Sequence, residues 1–121
     1  AMTNSTIVQQ FFDSYTRALL GRDSNAIAEH YAVPALIEFP EHPIAVSEAS
    51  QTEQFFSGAF GQYEAVSTTH ATIKVVAETG HSIWADVTWT HDAGVPSEHF
   101  IYQLVRDSES WKIAVLTPLD T

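Results

Sequence analysis

The second half of the chain most constrains the fold, because it contains four stretches typical of β-strands separated by short turn sequences. These β-branched and aromatic runs cover residues 65–78, 82–91, 98–106 and 111–117. Glycine, proline, aspartate and serine are concentrated between them, as is usual in hairpin connections. We therefore predict an antiparallel four-stranded meander, whose apolar face needs other elements to cover it.

The first half of the chain carries the helical patterns that would cover this sheet. Apolar residues recur there at the three- and four-residue spacing of one buried helix face. The predicted elements, in order, are helix 5–20, helix 24–31, a short strand 35–39, and a third helix that begins at Ser50 with Glu53 completing its capping box. We therefore predict an α+β domain, with three N-terminal helices packed on a mostly antiparallel sheet.

The strand sequences also predict which side chains the helices cover. The expected neighbours are Trp89 with Phe100, Val87 with Tyr102, Leu104 with Ile113, and Tyr102 with Val115. On these registers all seven of those side chains lie on the inner face of the sheet. A shift of the strand pairing by one residue would exchange the inner and outer faces. The observed registers therefore test this assignment of faces.

Alternation along residues 82–91 leaves an outward face that is unusually apolar. Trp84, Ile101 and Val105 are assigned to it, together with the carboxylate of Asp86. A large apolar patch on a protein surface is typical of an interface with another chain. We predict a homodimer through this outer sheet face, with Asp86 satisfied across the interface.

Composition bounds the size of the protein and disfavours several classes of function. With 121 residues, 45% of them hydrophobic, the chain is predicted to be one domain over 3–121, after an expression-tag remnant and start methionine at 1–2. The net charge of −10 disfavours nucleic-acid binding, and the lack of cysteine removes disulfides and thiolate chemistry. No apolar run reaches the roughly 18 residues of a membrane span, so we expect a cytoplasmic protein with no membrane partner.

Three local sequences occur in the order and spacing of a known family. The first is Leu19-Leu20-Gly21-Arg22-Asp23 at the end of helix one, the second is Tyr31-Ala32 leading into strand 35–39, and the third is the closing Ser110-Trp111-Lys112-Ile113. Together with the order of elements, they make the chain resemble the NTF2-like, or SnoaL-like, cone fold, which is also called cystatin-like. The resemblance spans nearly the whole chain.

This resemblance implies a pocket inside a curved sheet that takes a small apolar molecule, and a homodimer through the outer sheet face. The superfamily includes ketosteroid isomerases, scytalone dehydratase, limonene epoxide hydrolases and polyketide cyclases, so acid/base chemistry without a cofactor is one expectation. It also includes members without known activity, and the fold alone does not give the function.

Tyr15 is the position most informative about chemistry. Ketosteroid isomerases, which this chain resembles around helix one, carry an oxyanion-stabilising tyrosine there, and a phenol in a dry pocket can donate to a developing enolate oxygen. Tyr15 would equally continue the apolar stripe of the helix. The resemblance implies two pocket carboxylates as well, but the chain has Phe39 and Phe100 at those positions, and Glu38 points to the opposite face. A steroid-type isomerase with the usual residues is not expected.

His91 and His99 are the candidate acid/base pair, because they flank the turn 92–97 and have Asp92 and Glu98 close in sequence. Imidazole titrates near neutral pH, which suits proton transfer. The alternative is a solvated hairpin end without catalytic function.

Two further histidines are candidate catalytic residues. His30 lies at a helix position where relatives often have an apolar residue, and His42 lies in the connection that would cross the mouth of the cone. Scytalone dehydratase uses histidine, aspartate and tyrosines in the same fold, which makes a histidine-based lyase one reading.

The aromatic side chains are the candidate ligand-binding residues: Phe11, Phe39, Phe60, Trp89, Phe100 and Tyr102. No motif with metal-ligand spacing occurs, so we predict neither a metal nor another cofactor. Three functions remain open: a small isomerase, cyclase or dehydratase, a non-catalytic module that binds a small apolar molecule, and a dimeric interaction domain whose cone is filled by side chains.

Overall fold

The computed structural model describes residues 3–119 and shows three helices on a six-stranded sheet. The helices are α1 (Asn4–Leu20), α2 (Ser24–Glu29) and α3 (Ala49–Ala59), which continues into a 3₁₀ turn (Phe60–Tyr63). The strands are β1 (Tyr31–Phe39), β2 (His42–Val46), β3 (Thr69–Glu78), β4 (Ser82–His91), β5 (Glu98–Asp107) and β6 (Ser110–Pro118). The predicted α+β class is confirmed. The predicted tag remnant at residues 1–2 lies outside the described residues.

The strand order in the sheet is β2-β1-β6-β5-β4-β3, so the four-stranded meander is confirmed. Neighbouring strands are antiparallel except β1 and β6, which are parallel. The strand β3 forms one edge of the sheet. Within the described residues, no helix is long and apolar enough to cross a membrane.

Helix α1 lies against the inner face of this sheet with one fully apolar side. Its buried residues are Val8, Phe12, Tyr15 and Ala18, at helical spacing. Thr3 caps the helix by accepting a hydrogen bond from the N–H of Thr6, and the next helix is capped by Asp23 through the N–H of Ala26. These caps and the buried stripe fix where α1 meets the sheet.

The boundary between α2 and β1 differs from the prediction. The predicted helix 24–31 was too long and the predicted strand 35–39 too short, because α2 ends at Glu29 and β1 begins at Tyr31. The parallel partner β6 explains the difference, since Tyr31 pairs with Ile113 and the N–H of Ile113 donates to the His30 carbonyl at 2.8 Å. Long-range pairing overrides the local helical pattern here.

The third helix begins one residue earlier than predicted and uses a different cap. The predicted Ser50–Glu53 capping box was wrong, because Glu48 is the capping residue. Its N–H donates to the side-chain oxygen of Gln51 at 2.9 Å, and the N–H of Ser47 donates to the same oxygen at 2.6 Å. A glutamine carboxamide three residues inside the helix performs the role that we assigned to Glu53.

One of the four predicted strand registers is confirmed, and three were wrong. Leu104 pairs with Ile113 as predicted. The other observed pairs are Trp89 with Glu98, Val87 with Phe100, Ala85 with Tyr102, and Tyr102 with Leu116. The β4–β5 pairing is displaced by two residues, which leaves every side chain on its predicted face.

The β5–β6 pairing contains an irregularity that the sequence did not predict. The register shifts between Gln103 and Leu104, which leaves Ala114 as an additional residue on β6. As a result Leu116 is buried, whereas Val115 is half-buried and joins the outer face. The assignment of Val115 to the inner face was therefore wrong.

Candidate functional site

A cavity of about 620 Å³ lies between the inner face of the sheet, the end of α1, and α3 with its 3₁₀ turn. Its walls are mainly aromatic. The lining rings are Tyr15, Phe39, Phe55, Phe56, Phe60, Tyr63, Trp89, Phe100 and Tyr102. A concave space of this size, with few polar groups, is typical of sites for small, largely apolar molecules.

Ring-to-ring contacts hold these walls in place. The Phe39 ring contacts Phe55 at 5.3 Å and Phe100 at 5.9 Å between centroids, and Phe55 contacts Phe56 at 5.1 Å. These spacings are in the range of favourable aromatic pairs. The cone is therefore not filled by its own side chains, although its walls are packed.

Five of the six predicted ligand-binding residues line this cavity: Phe39, Phe60, Trp89, Phe100 and Tyr102. Phe11 is not among the lining residues. Its ring contacts Phe12 at 5.2 Å and His30 at 5.4 Å, on another part of the α1 surface. Phe11 therefore packs with its helix neighbours and does not contribute to the cavity wall.

A connected group of four polar side chains lines one part of the cavity. We call Tyr63, Thr69, His91 and Glu98 the polar cluster. His91 Nε2 lies 3.0 Å from Glu98 Oε1, and His91 Nδ1 lies 2.9 Å from the Thr69 hydroxyl. The Tyr63 hydroxyl lies 2.8 Å from both carboxylate oxygens of Glu98.

The sheet registers bring this cluster together. Thr69 on β3 and His91 on β4 are direct cross-strand partners, and Glu98 on β5 pairs with Trp89, two residues before His91 on the same face. Diagonal neighbours on one face of a sheet are close enough for long side chains to touch. Tyr63 reaches the group from the 3₁₀ turn after α3.

Hydrogen-bond chemistry fixes the protons of the cluster. An ionised carboxylate only accepts, so His91 Nε2 carries the hydrogen that it shares with Glu98. In the neutral ring, His91 Nδ1 then has a lone pair, which accepts from the Thr69 hydroxyl. The His91 side chain is 7% exposed and that of Glu98 is 29% exposed. The His91 ring is therefore largely shielded from bulk solvent.

Tyr63 keeps its proton in this arrangement. Burial raises the pKa of its phenol well above the usual value, and the hydrogen bond and charge of Glu98 raise it further. Tyr63 is therefore a permanent donor that holds the Glu98 carboxylate in place.

Arg22 positions the segment that carries Tyr63. Its guanidinium donates to the backbone carbonyls of Leu20 at 2.9 Å, of Val66 at 3.0 Å, and of Tyr63. These bonds occupy the only Lys or Arg side chain that lines the cavity. The cationic group thus supports the chain around the 3₁₀ turn rather than a ligand anion.

A second polar group lies among the buried aromatic rings. The hydroxyls of Tyr15 and Tyr31 lie 2.7 Å apart, and the indole N–H of Trp89 donates to the Tyr102 hydroxyl at 2.9 Å. Burial raises the pKa of both Tyr15 and Tyr102 well above the usual value, and Glu98 adds to the rise in each. Tyr102 already accepts from Trp89, so its own O–H hydrogen is directed elsewhere.

The structure does not bring His91 and His99 together. His91 points into the cavity, whereas His99 lies on the outer face, where its Nε2 is 2.6 Å from Asp86 Oδ1. His99 pairs with Thr88, so it belongs to the opposite set of alternating positions. Asp86 is thus bonded within its own chain. A further contact of Asp86 across an interface stays a prediction.

The remaining candidate catalytic residues occupy different environments. Tyr15 and His42 line the cavity, and His42 is exposed. His30 does not line it, because its ring is held between the Ser14 hydroxyl at 2.9 Å and the Ala26 carbonyl at 2.7 Å. Burial lowers the pKa of His30, and the Ala26 bond only partly offsets this effect. His30 therefore serves as a packed, neutral side chain between α1 and α2.

Comparison with known proteins places the chain in a family. The model of the family described as NTF2-like protein (DUF6841) matches residues 4–121. The chain belongs to this NTF2-like family. The expectation of an NTF2-like fold from the sequence is therefore confirmed. A search of curated proteins gives no significant match.

Several solved structures share the fold of this NTF2-like protein at low sequence identity. An NTF2-like protein of unknown function from Shewanella oneidensis has a TM-score of 0.79 at 12% identity, covering 98% of this chain and 100% of that one. A cystatin-like domain of unknown function from Nostoc punctiforme has 0.77 at 13%, covering 99% and 80%. A proposed scytalone dehydratase from Novosphingobium aromaticivorans has 0.75 at 11%, covering 97% and 83%. These likenesses establish the fold alone.

Sequence reasoning missed two members of the polar cluster in this NTF2-like protein. Neither Tyr63 nor Thr69 was among the candidate residues, because Tyr63 lies near the end of the third predicted helix and Thr69 lies inside the predicted strand 65–78. Glu98 was noted beside the histidines but not selected. The available signal was strand alternation, because His91 and Glu98 fall on the same face in both the predicted and the observed hairpin register.

Across residues 3–119, no group of three or more histidine, cysteine, aspartate or glutamate side chains could hold a metal ion. The polar cluster offers one imidazole and one carboxylate, which already bond each other. An imidazole and a carboxylate are residue types that can take part in proton transfer and hydrogen bonding.

Proposed function

We propose that this NTF2-like protein binds a small, largely apolar molecule in the cavity and transfers a proton on it without a cofactor, with His91 as the base. The observation that carries the proposal is the His91–Glu98 hydrogen bond of 3.0 Å inside an otherwise aromatic cavity. A buried imidazole bonded to a carboxylate is the usual form of a general base in proteins.

The proposed proton acceptor is the lone pair of His91 Nδ1. When this atom takes a proton, the ring becomes a cation, and the Glu98 carboxylate on Nε2 stabilises that charge. Tyr63 donates to both oxygens of Glu98, so the carboxylate is oriented before any ligand arrives. A ligand proton reaches Nδ1 by replacing the hydrogen bond of Thr69, which costs about 1 kcal/mol.

The charges around the cavity favour a neutral ligand. Glu98 and Glu41 line it, whereas the guanidinium of Arg22 is bonded to backbone carbonyls. The net charge of −10 also repels anions. A neutral molecule whose apolar body packs against Phe39 and Phe100 is therefore the ligand class with the smallest desolvation cost.

The reaction classes that fit are isomerisation, cyclisation and dehydration, in which a base removes a proton from carbon or oxygen. The phenols of Tyr15 and Tyr102 are donors for an oxygen that gains negative charge. His42 is an exposed lining residue and has a secondary role at most, because water competes for its ring.

The second candidate function is binding without catalysis. The observation that favours it is that Phe39 and Phe100, which contact each other at 5.9 Å, occupy the positions where ketosteroid isomerases carry carboxylates. The third candidate function requires a cone that is filled by its own side chains. The cavity of about 620 Å³ does not support it.

The homodimer through the outer sheet face remains a proposal of the same kind. Trp84, Ile101 and Val115 are half-buried in the single chain, and Leu36 beside them is 37% exposed. This apolar surface supports the proposal. The cytoplasmic location stays a prediction.

The test of the proposed function is base-catalysed ring opening of a nitrobenzisoxazole, a neutral aromatic probe that releases a coloured phenolate when a base removes one proton. His91→Gln should lower its rate at least about tenfold, since a positioned base contributes roughly 10²- to 10⁴-fold. His70→Gln is the matched control, because His70 is exposed on β3 and does not line the cavity.

Two results bear on the alternative. Equal rates in wild type and His91→Gln would remove His91 as the base. If a neutral fluorescent dye such as Nile red still binds competitively with the probe in that case, the cavity is a binding site without catalysis.

A further inference from the structure

The polar cluster contains an arrangement that proton transfer alone does not use. The Thr69 hydroxyl lies 2.9 Å from His91 Nδ1, and on the other side of the ring His91 Nε2 lies 3.0 Å from Glu98. A hydroxyl, an imidazole and a carboxylate in series, each within hydrogen-bond reach, is the arrangement that activates a hydroxyl nucleophile. All three side chains line the cavity.

We propose that Thr69, His91 and Glu98 form a nucleophile–base–acid triad, with which the cavity hydrolyses small neutral esters through an acyl group on Thr69. The proposal rests on the proposed function, because it needs His91 as the base. It goes further in naming a covalent reaction, a substrate class and a residue that would contact the reacting carbon.

Each member of the triad has a role that its position supports. Glu98 fixes the hydrogen on His91 Nε2, so that Nδ1 presents its lone pair to the Thr69 O–H. Tyr63 holds Glu98 with 2.8 Å contacts to both oxygens. The carboxylate is thus kept on the imidazole instead of turning toward Thr69.

The strand geometry sets the close approach of Thr69 and His91. The N–H of Asp92 donates to the Thr68 carbonyl at 3.3 Å, which makes Thr69 and His91 a pair without direct backbone hydrogen bonds. Side chains in such pairs are closer than in hydrogen-bonded pairs. The rigid ladder, and not a mobile loop, therefore determines the contact between Thr69 and His91.

The same register leaves a backbone donor beside the proposed nucleophile. In a pair of this type the N–H points away from the partner strand, and β3 is the edge of the sheet. The N–H of Thr69 thus has no strand partner on that side. It belongs to the nucleophilic residue itself and is the proposed donor for the oxyanion that forms when the Thr69 oxygen bonds to a carbonyl carbon.

The reaction balances with water as the only co-reactant. The Thr69 oxygen bonds to the ester carbonyl carbon while its hydrogen passes to His91 Nδ1. The carbon–oxygen bond to the alcohol then breaks, and the departing oxygen takes that hydrogen. Water attacks the acyl-Thr69 ester with His91 again as the proton acceptor, which releases a carboxylic acid and restores the Thr69 hydroxyl.

The test uses p-nitrophenyl butyrate, a small neutral ester, with the reaction quenched in acid and the protein analysed by tandem mass spectrometry. We expect a butyryl group on Thr69 in the wild type. Thr69→Val should lose this adduct and release nitrophenol at least about tenfold more slowly. Thr69→Ser should keep both the adduct and the release of nitrophenol. Thr72→Val is the matched control, because Thr72 is exposed on the same strand and lies outside the cavity.

The nitrobenzisoxazole reaction separates this inference from the proposed function. Thr69→Val removes the hydroxyl that covers His91 Nδ1, so its rate of ring opening should rise above that of the wild type. This result also shows that the variant is folded. Together with loss of the butyryl adduct it supports the triad.

Two outcomes overturn the triad. No adduct on Thr69 in the wild type, with ring opening still dependent on His91, refutes the nucleophile and leaves the proposed function intact. Nitrophenol release that is unchanged in Thr69→Val refutes the nucleophile as well. Ring opening that does not depend on His91 would instead refute the proposed function itself.

Discussion

The hydrogen bonds between Tyr63 and Glu98 give the sharpest test of how the polar cluster is held together. The change is Tyr63→Phe, which removes one hydroxyl that lies 2.8 Å from both carboxylate oxygens. The ring and its contact with the His91 ring, 5.5 Å between centroids, are preserved. Loss of stability in this variant therefore reports the hydroxyl alone.

The expected magnitude follows from charge and burial. A hydrogen bond to an ionised group contributes about 1.5 to 3 kcal/mol. Tyr63 is half-buried and the Glu98 side chain is 29% exposed, so water partly replaces the lost donor and the lower end applies. We expect the free energy of unfolding to fall by about 1.5 kcal/mol, and Tm by about 6 °C for a domain of this size.

The assay is urea unfolding of a double-mutant cycle between Tyr63→Phe and Glu98→Gln. If the two groups stabilise each other, the double variant should be about 1 kcal/mol more stable than the sum of the single effects predicts. Glu41→Gln is the matched control partner, because Glu41 is an exposed cavity carboxylate that makes no hydrogen bond to Tyr63. A coupling energy within about 0.3 kcal/mol of zero for the Tyr63–Glu98 pair would refute the reasoning.

Three further predictions use other parts of the molecule. Burial raises the pKa of all four tyrosines, so their contribution to stability is present below their usual pKa of about 10 and is lost as the pH rises. Phenolate absorbance should therefore appear only as the protein unfolds at alkaline pH. Phenolate absorbance in protein that is still folded would contradict this prediction. Hydrogen bonds from Ser67 lower the pKa of Asp92 to about 2, so the contribution of Asp92 to stability is present above pH 3.8 and is lost as the pH falls towards 2. Asp92→Asn should therefore make the free energy of unfolding depend less on pH in this range. An unchanged dependence on pH would refute a contribution from Asp92. The Thr52 hydroxyl is buried without a partner among the described residues, so Thr52→Val should raise the free energy of unfolding by about 1 kcal/mol; a loss of stability in calorimetry would show that the hydroxyl is bonded.

The meander was predictable because the strand signals agree with each other over a long stretch. The run at 82–91 is observed with those bounds, and β5 and β6 extend slightly past their predicted ends. The predicted strand 65–78 was too long, because β3 begins only at Thr69. The first half was harder. Tyr31 and Ala32 look helical in isolation, and only the parallel pairing with β6 makes them strand.

The candidate site was less predictable, because it depends on register and on one contact from a distant turn. A two-residue displacement of the β4–β5 hairpin kept the aromatic wall on its predicted face and made Glu98 the direct partner of Trp89 and a diagonal neighbour of His91. Tyr63 enters from the 3₁₀ turn, and its hydrogen bond to Glu98 spans 35 residues of sequence. Local patterns carry no information about such a contact.

The position of the polar cluster explains how a cone without the isomerase carboxylates still presents a base. The rings of Phe39 and Phe100 contact each other at the positions where those carboxylates would lie. This contact makes that part of the cavity apolar. His91 and Glu98 lie farther along the sheet, towards the ends of β4 and β5 that flank one hairpin. A ligand with its apolar body against the phenylalanines would therefore place its reacting group beside Thr69 and His91, and not beside Phe39 at the end of β1. The proposed chemistry therefore depends on the polar residues at these strand ends, and the His91, Thr69 and Tyr63 variants test those positions directly.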